Sequence, residues 1–154
     1  MSEKTTAVTA WEALFRAQVS VMRYLNVEFP VGELSLNEYD VLFNLSRQPG
    51  RRLRMKDLNR HLLLTQPSVS RLVDRLATRG LLAKSHDQDD ARGVNVALTP
   101  AGFELFRRVA RSHIESIAKR MGGTLSTTEL ETLTELCDRL RLADHRQRAH
   151  VRRR

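Results

Sequence analysis

Residues 65–102 read TQPSVSRLVDRLATRGLLAKSHDQDDARGVNVALTPAG, and a change of hydrophobic period inside this stretch decides the fold. Val69, Leu72, Val73 and Leu76 recur at helical steps, the pattern of a helix with one buried face. Thr65 stands where an N-cap belongs, and Pro67 falls in the first turn, where its missing N–H removes no bond. Gly80 supplies the C-terminal stop. Beyond it the period becomes that of strands: Leu82-Ala83-Lys84 and Val94-Asn95-Val96-Ala97-Leu98 are short β-type runs. The intervening HDQDDARG is too polar to pack, so the two runs predict a hairpin projecting into solvent. Thr99-Pro100 then opens another helix, with Thr99 as N-cap and Pro100 at its first position.

Working outward, Trp11, Leu14, Phe15, Val19, Met22, Leu25 and Phe29 give an amphipathic helix that Pro30 and Gly32 end. Ser35-Leu36-Asn37-Glu38 is a capping box, and the helix after it offers Tyr39, Val41, Leu42 and Leu45 for burial until Pro49-Gly50. Met55 to Leu62 reads as a short third helix. Downstream, the helix opened by Thr99 runs through Phe103, Phe106, Val109, Ile114 and Ile117 to Gly122-Gly123. Ser126 to Glu129 is a second capping box, ahead of a narrow seam of Leu130, Leu133, Leu136, Cys137 and Leu140. The order is four helices, a hairpin and two helices. The fold class is mainly α with a small β-hairpin wing: a winged helix-turn-helix plus terminal dimerisation helices. The expected division is an N-terminal dimerisation helix at 8–32, a winged helix-turn-helix at 35–98, C-terminal dimerisation helices at 99–143 and a disordered basic tail at 144–154.

Charge narrows the partners. Among 154 residues, 26 are Lys or Arg and 18 Asp or Glu, a formal net charge of +8 that favours polyanions. The excess lies in the tail and also in the patterned middle, where Arg51, Arg52, Arg54, Lys56, Arg60, Arg71, Arg75, Arg79, Lys84 and Arg92 outnumber the acids. No apolar run approaches a membrane span, and MSEKTTAVTAWE lacks the order of a signal peptide, so a cytoplasmic protein is expected. One cysteine, Cys137, excludes an intrachain disulfide and a Cys-based zinc cluster; its place in the leucine seam predicts a buried, inert thiol. His61, His86, His113, His145 and His150 have no metal-ligand spacing, and no activated nucleophile or phosphate loop is present, so an enzyme is not expected and no cofactor is implied. Asp87, Asp89 and Asp90 lack the further ligands, central Gly and terminal Glu of a calcium loop.

With the apolar stripe of 66–78 turned inward, Thr65, Gln66, Pro67, Ser68, Ser70 and Arg71 occupy its exposed N-terminal end, and Arg75 follows one turn later. That end carries no acid. Gln pairs with adenine, Arg with guanine, and Ser with base or phosphate, and helix amides favour phosphate as well. At the wing tip, Asp90 is expected to orient the Arg92 guanidinium for entry into a narrow minor groove. The chain is thus expected to bind double-stranded DNA.

The same stretch resembles the signature region of the MarR family of bacterial regulators. The marks are S-x-x-V-D-x-L-x-x-x-G-L, here Ser70 to Leu81, then Asp90-Ala91-Arg92-Gly93, and the closing Leu98-Thr99-Pro100-Ala101-Gly102. The likeness is most specific over Leu58–Gly102. It implies a homodimer interlocked through its first, fifth and sixth helices, a recognition surface at Gln66, Pro67, Ser68, Ser70 and Arg71, and a wing pair at Asp90 and Arg92. It also implies a repressor that a small phenolic or lipophilic effector releases from DNA. Four positions depart from the pattern: Ala91 replaces a second basic wing residue, Asn59 and Leu63 replace small residues around the turn, and Arg54 is a poor N-cap.

Dimerisation has a physical basis too. A domain as small as the winged helix cannot cover the apolar stripes of both end helices, whereas a second copy would, and two-fold symmetry suits a palindromic operator. Trp11, Phe15, Phe29, Tyr39 and Phe43 are read as core, and no ligand-binding residue is assigned. The expected function is a sequence-specific transcriptional regulator. The alternative is an architectural, weakly specific DNA-binding protein, which would show steep salt dependence and little sequence preference.

Overall fold

The computed structural model describes the backbone of residues 2–30 and 32–151, with side chains described as far as Ala143. The elements are α1 (Glu3–Glu28), α2 (Leu36–Ser46), a 3-10 turn (Pro49–Arg51), β1 (Arg52–Arg54), α3 (Met55–Arg60), α4 (Gln66–Thr78), β2 (Leu82–His86), β3 (Val94–Leu98), α5 (Pro100–Gly122) and α6 (Thr127–Val151). They form two compact units: residues 25–114, and residues 1–24 together with 115–154. No helix among the described residues is long and apolar enough to cross a membrane.

In the first unit local chemistry sets the helix ends. The Ser35 amide donates to Glu38 Oε2 (2.9 Å) and the Glu38 amide to Ser35 Oγ (3.2 Å), closing the expected capping box of α2. At the far end of α4, Gly80 sits at φ +74 and the Leu81 amide returns to the Leu76 carbonyl (2.9 Å), a left-handed helix stop. Thr99 caps α5 by accepting from the Gly102 amide (3.0 Å), and its hydroxyl donates to the Gly80 carbonyl (2.7 Å). One threonine thereby starts α5 and ties it to the end of α4.

The hairpin is part of a three-stranded antiparallel sheet of order β1-β3-β2. Leu53 of β1 faces Val96, and Leu82 and Lys84 of β2 face Leu98 and Val96. A two-stranded wing was the expectation; the third strand, β1, corrects it. Arg52-Leu53-Arg54 is too short for its alternation to mark a strand, and it is extended because β3 has an open edge to pair with. The third helix ends at Arg60 rather than Leu62, and Leu62 and Leu64 turn into the core from the bend that follows.

The core gathers Val41, Leu42 and Leu45 of α2, Leu58 of α3, Val69, Val73 and Leu76 of α4, and Val96 of β3, all fully buried. Every apolar residue expected on the inner face of α4 is buried there. Gly102 meets the chain closely: a Cβ at this position would lie 2.0 Å from the Leu81 carbonyl oxygen. The unit is larger than the expected span of 35–98, since it takes in the end of α1 and the first half of α5.

Behind this core lies an aromatic cluster. His113 is buried edge-on to Tyr39 (ring centroids 4.8 Å) and Phe29 (5.2 Å), and its Nδ1 has no hydrogen-bond partner among the described residues. Burial pushes its pKa below the usual 6.5. The unfolded chain then takes up this proton more readily than the folded one, so stability is full above pH 6.5 and falls as the pH drops below it. The urea midpoint is expected to fall between pH 7.5 and 5.5, and to fall less in His113→Phe, where the ring remains and the titrating nitrogen does not. Equal falls in both proteins would remove His113 as the cause.

The other unit is different. None of its described residues is buried. Trp11 (62% exposed), Phe15 and Val8 stand out from α1, and Leu136, Leu140 (65%) and Leu142 from α6. Within this unit Arg120 donates to Ser20 Oγ (3.3 Å) and lies over the Tyr24 ring (5.6 Å). Cys137, expected to be buried, is exposed in the chain together with its neighbours Leu136 and Leu140. The helical backbone of α6 continues to Val151, into the stretch expected as a basic tail. The side chains of 144–151 and the whole of 152–154 lie outside the described residues.

Candidate nucleic-acid interface

The exposed end of α4 is built by its cap. Thr65 keeps an extended backbone (φ −67, ψ 149), and its Oγ1 accepts from the Ser68 amide at 3.4 Å. The same hydroxyl donates to Ser68 Oγ (2.9 Å), which in turn accepts from Arg71 Nη2 (3.5 Å). Threonine, serine and arginine are thus brought together along the first turn. Gln66, Pro67 and Arg71 are exposed, Ser68 and Ser70 half-buried, and the first turn holds no acidic residue. The first turn therefore presents the positive end of the helix dipole with no acidic side chain of its own to offset it, while Thr65 takes up the Ser68 and Val69 amides.

Further along α4 the charges are held by neighbours. Arg75 Nε lies 3.8 Å and Arg79 Nη1 3.6 Å from the carboxylate of Glu38, the same group that closes the α2 capping box. Arg79 also donates to the Glu33 carbonyl (2.5 Å), and Arg108 makes two hydrogen bonds to the Glu33 carboxylate (2.7 and 3.2 Å). The Arg108 hydrogen bonds hold the Glu33 carboxyl below its usual range. Arg75 therefore spends part of its charge inward, against Glu38, although its side chain stays 60% exposed. Asp74, the acid on the outer face of α4, is paired with Lys84 Nζ of β2 at 2.6 Å.

In the wing Asp87 and Asp90 have separate tasks. Asp87 is buried (side chain 7% exposed), and its Oδ2 lies 2.7 Å from Arg54 Nε of β1. Its Oδ1 accepts from the Asp89 amide (3.1 Å), and its own amide donates to the Gly93 carbonyl (2.9 Å). A Cβ on Gly93 would lie 2.9 Å from Asp87 Cβ, so this close crossing of the loop ends requires glycine. Asp90 Oδ1 accepts from the Arg92 backbone amide at 3.0 Å, and the Asp90 carbonyl accepts from Gly93 (2.8 Å). The expected contact was with the Arg92 guanidinium. The carboxylate instead folds the tip as an Asx turn, because the amide two residues on is nearer than the end of a long side chain. The guanidinium of Arg92 has no partner among the described residues and is free to meet a ligand. Arg54 and Asp87 form an ion pair at the base of the wing loop that sequence reasoning missed: they are far apart along the chain, and Arg54 signalled itself only as an unsuitable cap for α3.

A short helix, a bend, a capped second helix and a three-stranded wing define the winged helix-turn-helix class. The MarR family model matches residues 33–93, from the loop before α2 to the wing tip. PecS of Dickeya dadantii (strain 3937), an HTH-type transcriptional regulator, is 30% identical over 104 residues, which are 67% of this chain and 63% of PecS. The match thus spans less than two thirds of that relative. AbsC of Streptomyces coelicolor, a MarR family transcriptional regulator, is similar in structure with a TM-score of 0.73 at 28% identity, over 96% of this chain and 97% of AbsC. BpsR of Bordetella bronchiseptica, whose DNA binding is regulated by 6-hydroxynicotinic acid, gives a TM-score of 0.73 at 26% identity, over 86% of this chain and 98% of BpsR. Residues 33–93 of the chain thus match the MarR family, and the similar proteins PecS and AbsC are transcriptional regulators.

Proposed function

We propose that this protein is a sequence-specific repressor that binds a palindromic operator as a homodimer and acts in the cytoplasm. The observation that carries the reading is the capped, acid-free end of α4, where Thr65, Gln66, Pro67, Ser68, Ser70 and Arg71 share one surface. A helix end of this kind, entering the major groove, offers an amide for adenine, a guanidinium for guanine and hydroxyls for phosphate. Arg92, its guanidinium unengaged, serves the adjacent minor groove, with Asp90 shaping the tip that presents it. Arg75 divides its charge between Glu38 and the DNA backbone.

The homodimer reading rests on the unit formed by residues 1–24 and 115–154, which exposes its apolar side chains along α1 and α6. A second copy would bring the same apolar faces for mutual burial. Release by a small phenolic or lipophilic effector is supported by BpsR, which responds to a small aromatic acid.

Selection from random duplex DNA, followed by anisotropy titration of the winner at two salt concentrations, tests this reading. A palindrome with half-sites about one helical turn apart, preferred roughly 10³-fold over random DNA, is expected. Tight low-salt binding without an enriched sequence would overturn it in favour of an architectural DNA binder. On the selected operator, Arg92→Ala is expected to weaken binding by about 1–3 kcal/mol with an unchanged melting temperature. Unchanged affinity would remove the wing from the interface.

A further inference from the structure

We propose that the bend ahead of α4 belongs to the reading surface, and that Leu63 recognises the 5-methyl group of a thymine beside an adenine read by Gln66. This rests on the assignment of α4 as the helix that enters the major groove.

Three consecutive leucines lie between α3 and α4. Leu62 and Leu64 pack against the core, and the backbone that turns them inward sends Leu63 out. Leu63 is 95% exposed, more than any other large apolar side chain among the described residues. It therefore contributes nothing to the core, and its two neighbours already anchor the bend. A solvated bend ordinarily takes a polar or small residue at such a place.

Position supplies the ligand. Leu63 precedes the N-cap Thr65 by two residues, so its Cα lies within about 7 Å of that of the cap. Gln66 and Pro67, both exposed, follow at once. The surface around the cap thus joins an apolar side chain, a proline ring and an amide, with no acidic group in the first turn of α4. The major-groove edge of an A·T pair is the complement of that set. Adenine presents the N7 acceptor and N6 donor that a glutamine amide pairs with, and thymine presents the one methyl group found on any base edge. A G·C pair in the same place offers Leu63 only polar atoms, which it would strip of water without replacement.

The test begins with the operator that the full-length wild-type protein selects. Each thymine is replaced in turn by deoxyuridine, which removes the methyl group and keeps the pairing. Every duplex is titrated with wild type and with Leu63→Ala, whose melting and sedimentation are expected to match wild type because the side chain is almost wholly exposed. One deoxyuridine position in each half-site is expected to weaken wild type about fourfold, the effect of one buried methyl group, and to leave Leu63→Ala unchanged. If every deoxyuridine acts equally on the two proteins, the role of Leu63 is overturned while DNA reading by α4 stands. If Leu63→Ala loses affinity equally for operator and random duplexes, the side chain touches the sugar-phosphate backbone and the proposal also falls. A wild-type protein that selects no sequence overturns the assignment of α4 and this inference together.

Discussion

Gly102→Ala is expected to destabilise the winged-helix unit by about 3 kcal/mol or more, the upper end of overpacking costs. The added methyl would sit 2.0 Å from the Leu81 carbonyl oxygen and 2.9 Å from Leu98 Cδ1. The first of these is backbone, held where the Thr99 amide donates to it (3.1 Å). Relief requires the start of α5 to lift away from the end of α4, and the Thr99 bonds to Gly80 and Leu81 break with it. In a thermal melt this corresponds to a fall of roughly 10–20 °C. Gly122→Ala is the control. Nothing lies within 4 Å of that position, so the same substitution is expected to leave the melt unchanged or raise it slightly, since alanine favours helix. Equal effects at the two glycines would show that the close approach at Gly102 is not what holds α5.

Replacing Leu133 and Leu140 together with glutamate is expected to convert a dimer into a monomer in sedimentation. Operator affinity should fall by about 100-fold or more, because two half-sites are then no longer engaged by one particle. Leu140 is 65% exposed and Leu133 half-buried in the single chain, so the cost to the protomer falls on Leu133, and the rest of the effect acts on the interface with a second copy. Circular dichroism is expected to show the helices retained. A double variant that still sediments with wild type would move the proposed interface off α6.

What was legible in the sequence follows from how local each feature is. The inner face of α4 can be read residue by residue, because a helix exposes its period within a dozen positions and Thr65, Pro67 and Gly80 mark both ends. Both capping boxes are legible for the same reason. β1 is not, since three residues become a strand only through pairing with a segment forty positions on. The Arg54–Asp87 pair fails in the same way. At the wing tip the spacing of Asp90 and Arg92 announces an interaction but does not say whether side chain or backbone supplies the donor. Periodicity likewise shows that α1 and α6 have an apolar face and is silent on what covers it. Within the described chain only Leu25 of α1 is buried, and Cys137 faces outward.

The third strand changes how the reading elements come loose. β1 precedes both helices of the motif and β3 follows them, and their three paired positions close the chain into a ring around α3 and α4, with Arg54 and Asp87 as its clasp. An arm free to flap would ask only that β2 and β3 part from the core. Here, swinging the wing away means unzipping a ladder of long sequence separation, and such pairings open in the same cooperative event as the helices they enclose. Helix and wing are therefore held as one preset calliper, whose gap is set by the fold and not by what it grips.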